Sequence, residues 1–264
     1  MPKHFYYPIP PSNNLSKYNF DSQFPTTGLS IDDNIMKNLM YKIREYNEEY
    51  KPIYKSSGYE SNGDGSILWG MIRIFKPNLI VEVGSGNSTR VALNAMDLNN
   101  QEKAKLGGVF AIEPYPKKEL RELQKRWQTQ LQLNEKMLED IDESVFNKLQ
   151  ENDILFIDST HIVKCDNDVH RLYLKILPNL PAGVIVHIHD IRLPQDYPRS
   201  WVVNKKYFWN EQYLLHMFLC FNDSYKILFA SNYMKLKYYE EFSQSVIGLD
   251  EDGWPGSFWI KKIK

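Results

Sequence analysis

The sequence predicts an α/β fold built on a mostly parallel sheet, and three observations carry that reading. Short apolar runs at 79–83, 109–113, 153–158 and 183–190 are bounded by Gly, Pro, Asn or Asp, as buried strands are. Helical segments separate these runs, and strands that alternate with helices pair in parallel. The stretch LIVEVGSGNSTR (79–90) joins a strand to a helix start through a small-residue turn, where open α/β sheets bind ligands.

Residues 1–29, rich in Pro, Asn, Ser, Tyr and Phe without periodicity, read as an irregular arm lying on the domain and able to cover a pocket. Ser30 and Asp33 mark a helix start, and Ile31, Ile35, Leu39 and Ile43 recur every fourth residue, which predicts a helix over 31–50. SSGYESNGDG (56–65) is a loop able to fold over a ligand, and SILWGMIRIF (66–75) is a buried helix ended by Pro77. After strand 79–83, Gly84 and Gly86 let backbone approach a ligand, and Asn87 or Ser88 caps a helix through Val91, Leu93 and Ala95. Strand 109–113 is stopped by Pro114 and Pro116. A helix over 117–131, a weaker strand over 134–138 and a short helix lead to strand 153–158. A helix over 167–177, closed by Pro178, leads to strand 183–190. The Pro- and Trp-bearing stretch 190–210 is too long for a minimal connection and reads as a functional loop or lid. Helix 210–221 follows, then strands 225–230 and 257–263 with a polar segment between them. No repeat or linker divides the chain, so residues 1–56 read as arm and helix and 57–264 as one domain.

With 264 residues and 42% hydrophobic content, the chain can bury a sizeable core. Lys plus Arg (32) nearly balances Asp plus Glu (33), so charge gives no argument for nucleic acid or a membrane surface. No apolar run reaches the roughly 18 residues of a membrane span, and the N-terminus lacks a signal-peptide hydrophobic region, which makes the cytoplasm the expected location. Cys165 and Cys220 have no pairing or metal-binding spacing and read as free thiols. Small molecules are the expected partners, and a homo-oligomer stays open.

In a dinucleotide fingerprint a third glycine packs the helix under a pyrophosphate, and here Thr89 takes that place. Glu113 closes the next strand, where a carboxylate can accept hydrogen bonds from both ribose hydroxyls. An adenosyl ligand without a pyrophosphate fits better than NAD, and an NAD-dependent oxidoreductase is disfavoured.

These residues carry a resemblance. VEVGSGNSTR, AIEPYP, DILFIDSTH, GVIVHIHDIRLPQDYP, WNEQYLL and GSFWI, in this order and spacing, resemble the class I S-adenosylmethionine-dependent methyltransferases, and within them a bacterial subgroup sharing the EVGSG, IDSTH and HIHD signatures. The resemblance covers residues 57–263. It implies a Rossmann-like seven-stranded sheet with one antiparallel strand and helices on both faces. It also implies S-adenosylmethionine near Glu82, Gly84, Ser85, Gly86, Ser88, Glu113 and Asp158, with Asp140 approaching the adenine.

Asp158, Ser159, Thr160 and His161 follow the fourth strand, and His187, His189 and Asp190 end the fifth, so their ends should converge. Acids and histidines crowded in a partly buried place can bind a divalent metal. By resemblance to metal-dependent O-methyltransferases, Asp158, His189 and Asp190 would be the ligands. His189 stands where those relatives carry an oxygen ligand, which counts against magnesium and leaves manganese, iron or no metal open. His187, deeper in its strand, reads as a hydrogen-bonded core histidine. His161, three residues past Asp158, is the candidate base, since a histidine near neutral pKa suits removal of a hydroxyl proton. Tyr197, Trp201, Trp209, Asn210, Glu211 and Tyr213 resemble a pocket-covering segment able to stack on a sugar or ring.

The expected activity is therefore methyl transfer from S-adenosylmethionine to a hydroxyl of a small or sugar-like acceptor. The alternative is a catalytically silent S-adenosylmethionine-binding module acting through a partner.

Overall fold

Strands β1 (Leu79–Val83), β2 (Gly108–Ile112), β3 (Leu131–Asn134), β4 (Ile154–Ile157), β5 (Ile185–Ile188), β6 (Tyr225–Ala230) and β7 (Phe258–Lys262) form one sheet in the order β3-β2-β1-β4-β5-β7-β6. The five strands β1 to β5 pair in parallel, and β7 runs antiparallel to both β5 and β6. Every residue of β4 and β5 is buried, so both faces of the sheet are covered, as a parallel centre requires. The computed structural model describes residues 9–57, 59, 62–103 and 106–264. Residues 1–8 of the arm and positions 58, 60 and 61 of the loop at 56–65 lie outside the described residues.

The single helix expected over 31–50 is two, α2 (Asp33–Glu45) and α3 (Asn47–Ser57), interrupted at Tyr46 after a short first helix α1 (Ser12–Lys17). Asp32 rather than Ser30 caps α2, accepting from the backbone N–H of Asn34 and Ile35. Met36, Leu39, Met40 and Ile43 give α2 a buried face that packs on α4 (Asp64–Phe75) and β6. Arg73 of α4 is a buried cation that ties α3 to α5 (Asn87–Lys103), with Nε and Nη2 on Glu49 at 2.8 and 3.2 Å and Nη2 on Glu102 at 2.5 Å. Helices α2 and α3 are thereby part of the main core, whereas Leu15 of α1 packs against a separate small cluster around Phe20, Tyr197 and Val202.

β3 begins three residues before the expected 134–138. Helix α6 (Lys118–Arg126) ends early, and Leu131, read as the end of that helix, instead opens the strand with Leu133, the two pairing beside Val109 and Ala111. Past β4, α7 (Asp168–Arg171), a π-helical stretch (Leu172–Ile176) and α8 (Leu177–Asn179) follow directly on one another. After α9 (Glu211–Leu219) and β6, the segment read as polar connection carries α10 (Ser231–Lys237) and α11 (Tyr239–Ser245), whose buried Met234 and Phe242 are hidden among polar neighbours. Among the described residues no helix is long and apolar enough to cross a membrane.

The chain steps from β1 outward to β3 and then returns to β4 on the other side of β1. Sheet order reverses there, which opens a crevice beyond the carboxyl ends of β1 and β4. Gly84 adopts φ +83°, and a Cβ at that position would lie 1.8 Å from the backbone oxygen of Asp158. Only glycine lets the two strand ends come this close.

Gly84→Ala is therefore expected to destabilise the fold by roughly 3 kcal/mol or more, from left-handed strain plus overpacking against backbone. Thermal or urea unfolding checks this, and an unchanged midpoint would show that the strand ends can part without cost.

Candidate active site

The crevice is organised by Glu82, which is 1% exposed on β1. The hydroxyls of Ser88 and Thr89, in the first turn of α5, donate to its two oxygens at 2.6 Å each. Burial raises the Glu82 carboxyl to about 7 although both hydroxyls oppose that shift. Glu82 therefore faces the helix start, and the Ser88 hydroxyl proton is directed at it. Thr89, which stands where a dinucleotide site has glycine, also accepts from the Gly86 N–H at 3.0 Å. Beyond Gly86 a Cβ would meet nothing within 4 Å, so that residue borders free space.

Glu113 follows β2 half-buried. One of its oxygens accepts from the Ser85 N–H at 3.3 Å and the other from the Tyr115 N–H at 2.9 Å, which ties it to the glycine turn. A groove beside it is lined by Ser85, Gly86, Asn87, Arg90 and Tyr115. Asp140 lies exposed at the end of a 3-10 turn (Leu138–Asp140), after β3.

Asp158, His161 and Asp190 each bring a ligand atom within 4.8 Å of the others. His161 Nε2 lies 3.3 Å from Asp158 and 3.6 Å from Asp190, while Nδ1 donates to Glu211 at 2.8 Å. Burial alone would lower the imidazole pKa, but Asp158 and Glu211 outweigh it and push His161 up to about 10. The near-neutral value expected from sequence is displaced because three carboxylates surround one ring. Burial raises Asp158, yet His189 and His161 more than offset it and hold its carboxyl below the usual range. Burial keeps Glu211 and Asp190 raised against the same histidine. His161 and Asp190 both take left-handed backbone, φ 57° and 55°. Strain of this kind persists where surrounding bonds over-determine it. Here Thr160 is clamped to Asp168 through N–H and Oγ1, and the His161 carbonyl accepts from Asn210 and Glu211.

His189 stays outside this trio. Tyr59 OH lies 3.0 and 3.2 Å from its two ring nitrogens, and Asp190 approaches only to 3.8 Å. Burial lowers its pKa, but Asp158, Asp190 and Asp64 together raise it. Asp64 opens α4 and holds the N–H groups of Gly256 and Ser257 at 3.0 Å each. His187 is fully buried, stacked on Phe156 at 4.1 Å and tilted against Trp259 at 4.6 Å. Neither of its nitrogens has a hydrogen-bond partner among the described residues, unlike the bonded core histidine expected, and burial keeps it neutral. Glu211, Tyr59 and Asp64 acquire their parts only through the fold, since no local pattern links them to the DSTH or HIHD segments.

The stretch 190–210 folds as a lid. Trp209 packs on His161 at 4.3 Å, Trp201 meets Trp209 edge-on at 4.8 Å, and Tyr207 stacks on Trp209 at 5.1 Å. The N-terminal arm straps this lid down: Tyr18 donates to Asp196, which also accepts from Tyr213 at 2.6 Å, and Phe24 N–H bonds Pro194 O at 2.7 Å.

Residues 81–191 match a family model described as a methyltransferase domain. An uncharacterized protein of Archaeoglobus fulgidus is 30% identical over 167 residues, which span 57% of this chain and 74% of the relative. An SAH-bound methyltransferase of Podospora anserina has a TM-score of 0.48 and 16% identity over 96% of this chain and 94% of its own. A Burkholderia thailandensis 1,6-didemethyltoxoflavin-N1-methyltransferase, solved with 1,6-didemethyltoxoflavin and S-adenosylhomocysteine, has a TM-score of 0.43 and 10% identity over 92% and 94%.

The raised carboxyl of Glu82 gives a pH signature. The folded state holds this proton more tightly than the unfolded chain, so the contribution is full below about 4.5 and is lost as pH rises through about 7, by on the order of 3 kcal/mol. Glu82→Gln, which keeps the shape and one of the two acceptor oxygens and carries no charge, should become more stable relative to the parent as pH is raised from 5 to 8. Parallel pH profiles of the two unfolding midpoints would overturn this assignment.

Proposed function

The chain belongs to the class I S-adenosylmethionine-dependent methyltransferases, and from that premise we propose that it methylates a hydroxyl of a small or sugar-like acceptor, with Asp158 and His161 handling the acceptor's proton. The convergence of Asp158, His161 and Asp190 beside the turn at Gly84 carries this reading. We take residues 57–264 as the methyltransferase domain and 1–56 as its extension, with a cytoplasmic location.

The residues present fit the cofactor. Free space beyond Gly86 gives the methionine side room, and Glu113, fixed by two backbone N–H groups, presents a carboxylate to a ribose. When bound, S-adenosylmethionine supplies a methyl group on a sulfonium. The protein's share is then alignment, a large entropic contribution, and removal of a proton. Asp158, with 31% of its side chain exposed, is the trio member most open to an acceptor. With its pKa pushed up to about 10 by Asp158 and Glu211, His161 holds both protons at neutral pH, so it orients Asp158 and keeps it ionised, and it accepts a proton only after releasing its own.

Two carboxylates around one imidazole edge call for a positive charge between them. A proton on His161 supplies it here. We assign Asp158, His161 and Asp190 as the residues that would hold a divalent cation, manganese or iron before magnesium, replacing the set with His189 expected from sequence. A cation there would lower the pKa of an acceptor hydroxyl.

The packed lid and the arm across it favour one rival, a cofactor-binding module without turnover. Labelled S-adenosylmethionine offered with pools of hydroxylated acceptors separates the two, because the module would bind S-adenosylhomocysteine and transfer nothing. Asp158→Asn should abolish transfer while S-adenosylhomocysteine affinity stays within about tenfold, and undiminished transfer would remove the trio from the mechanism. Manganese binding near pH 7 should release about one proton, read by calorimetry in buffers of different ionisation enthalpy. Equal heats in those buffers would exclude His161 as a ligand.

A further inference from the structure

The lid carries a feature that the methyl-transfer reading leaves unused. A π-helix over Ser200–Lys205 carries Trp201 and Lys205, and Lys206 in left-handed backbone turns the chain so that Tyr207 N–H bonds Trp201 O at 2.9 Å. π-Helical turns and left-handed non-glycine residues are costly, and both recur at functional sites. Their combined effect here is to bring Trp201 and Tyr207 under one ammonium group: Lys205 Nζ stands 5.5 Å from the first ring centroid and 5.6 Å from the second. Among the described residues Lys205 has no carboxylate within ion-pair distance. Its charge nonetheless reaches inward, opposing the upward shift of Asp190.

A second cation lies one ring further along, over Trp254. Arg192 lies over Trp254 at 5.6 Å, Trp254 meets Trp201 at 5.2 Å, and the buried Nε of Arg192 has no acceptor among the described residues. The aromatic surface thus has an acidic end, where Trp209 touches His161, and an exposed cation, Lys205, over Trp201 and Tyr207. A neutral acceptor would use only the rings. A hydroxylated ring with an anionic group opposite its reacting hydroxyl would satisfy both ends.

We propose that the acceptor is such a compound, a hydroxylated ring bearing a carboxylate or phosphate, and that Lys205, seated on Trp201 and Tyr207, selects its anionic group. This rests on the assignment of the Asp158 end as the place of methyl transfer. Lys205 is exposed, so its replacement should leave folding intact.

The test uses the full chain loaded with S-adenosylhomocysteine and two isosteric pairs, 3,4-dihydroxybenzoate with 3,4-dihydroxybenzamide and glucuronate with glucuronamide. In at least one pair the acid should bind about tenfold more tightly than the amide. Lys205→Met should bring the two within about twofold, and Lys205→Arg should retain the preference. No preference in either pair, or a preference that survives Lys205→Met, overturns the proposal. Failure of the methyltransferase reading itself would show separately, as no S-adenosylhomocysteine binding by the unaltered chain or as binding with no methyl transfer to any acceptor.

Discussion

The two halves of the site meet where there is no room for one carbon atom. At Gly84 the backbone passes so close to the Asp158 carbonyl that a side chain would occupy the same space. That contact fixes the depth of the turn after β1, and the turn in turn decides where α5 begins. Ser88 and Thr89 then fall over Glu82, and two short hydrogen bonds inside the protein lock the helix start to the strand. The peptide groups of Ser85 and Gly86 are thereby held at the crevice, one bonded to Glu113 and the other to Thr89. A buried carboxylate alone would be a liability; bonded on both oxygens it becomes the fastening of the loop.

Much of this was legible because strands and glycine turns are local. Apolar runs ending in Gly, Asp or Glu announced β1, β2, β4 and β5, and Thr89 in place of glycine already argued against a pyrophosphate. The departures arose where pattern and register compete. Leu131 fits the end of a helical pattern as well as the start of a strand, and pairing of Leu131 and Leu133 with β2 decides for the strand. α10 and α11 hide because only a few of their residues are buried. At the end of β5, His189 N–H still bonds Ile157 O, so that side chain continues the strand's alternation toward Tyr59, whereas left-handed Asp190 swings to the trio. No sequence period encodes that change of direction. Glu211 is 50 residues from His161 and becomes its partner only because the start of α9 packs against the DSTH loop.

The electrostatics of the site follow from the same crowding. Asp64, Asp158, Asp190 and Glu211 face His161 and His189, while His187 lies just beneath them without charge. Such a set of buried charges is costly unless each has a partner. Asp64 has the N–H groups of Gly256 and Ser257, Glu211 has His161, and His189 has the Tyr59 hydroxyl. Asp158 and Asp190 are the two left with accessible surface, and they share the single imidazole edge between them. The place where the protein's own compensation is thinnest is also the place nearest the cofactor turn.

The strap between arm and lid has a consequence in time. Tyr18 and Asp196 are 178 residues apart in the chain. At a synthesis rate of ~5–20 residues per second, the arm leaves the ribosome roughly 10–35 s before the acid it binds exists. Through that interval Phe20 lacks Tyr197 and Val202, and Phe24 lacks Tyr213 and His216, so the nascent chain carries an aromatic segment without its partners. The site is consequently among the last parts of the molecule to be completed, and an arm made first is committed only after nearly everything else has been built.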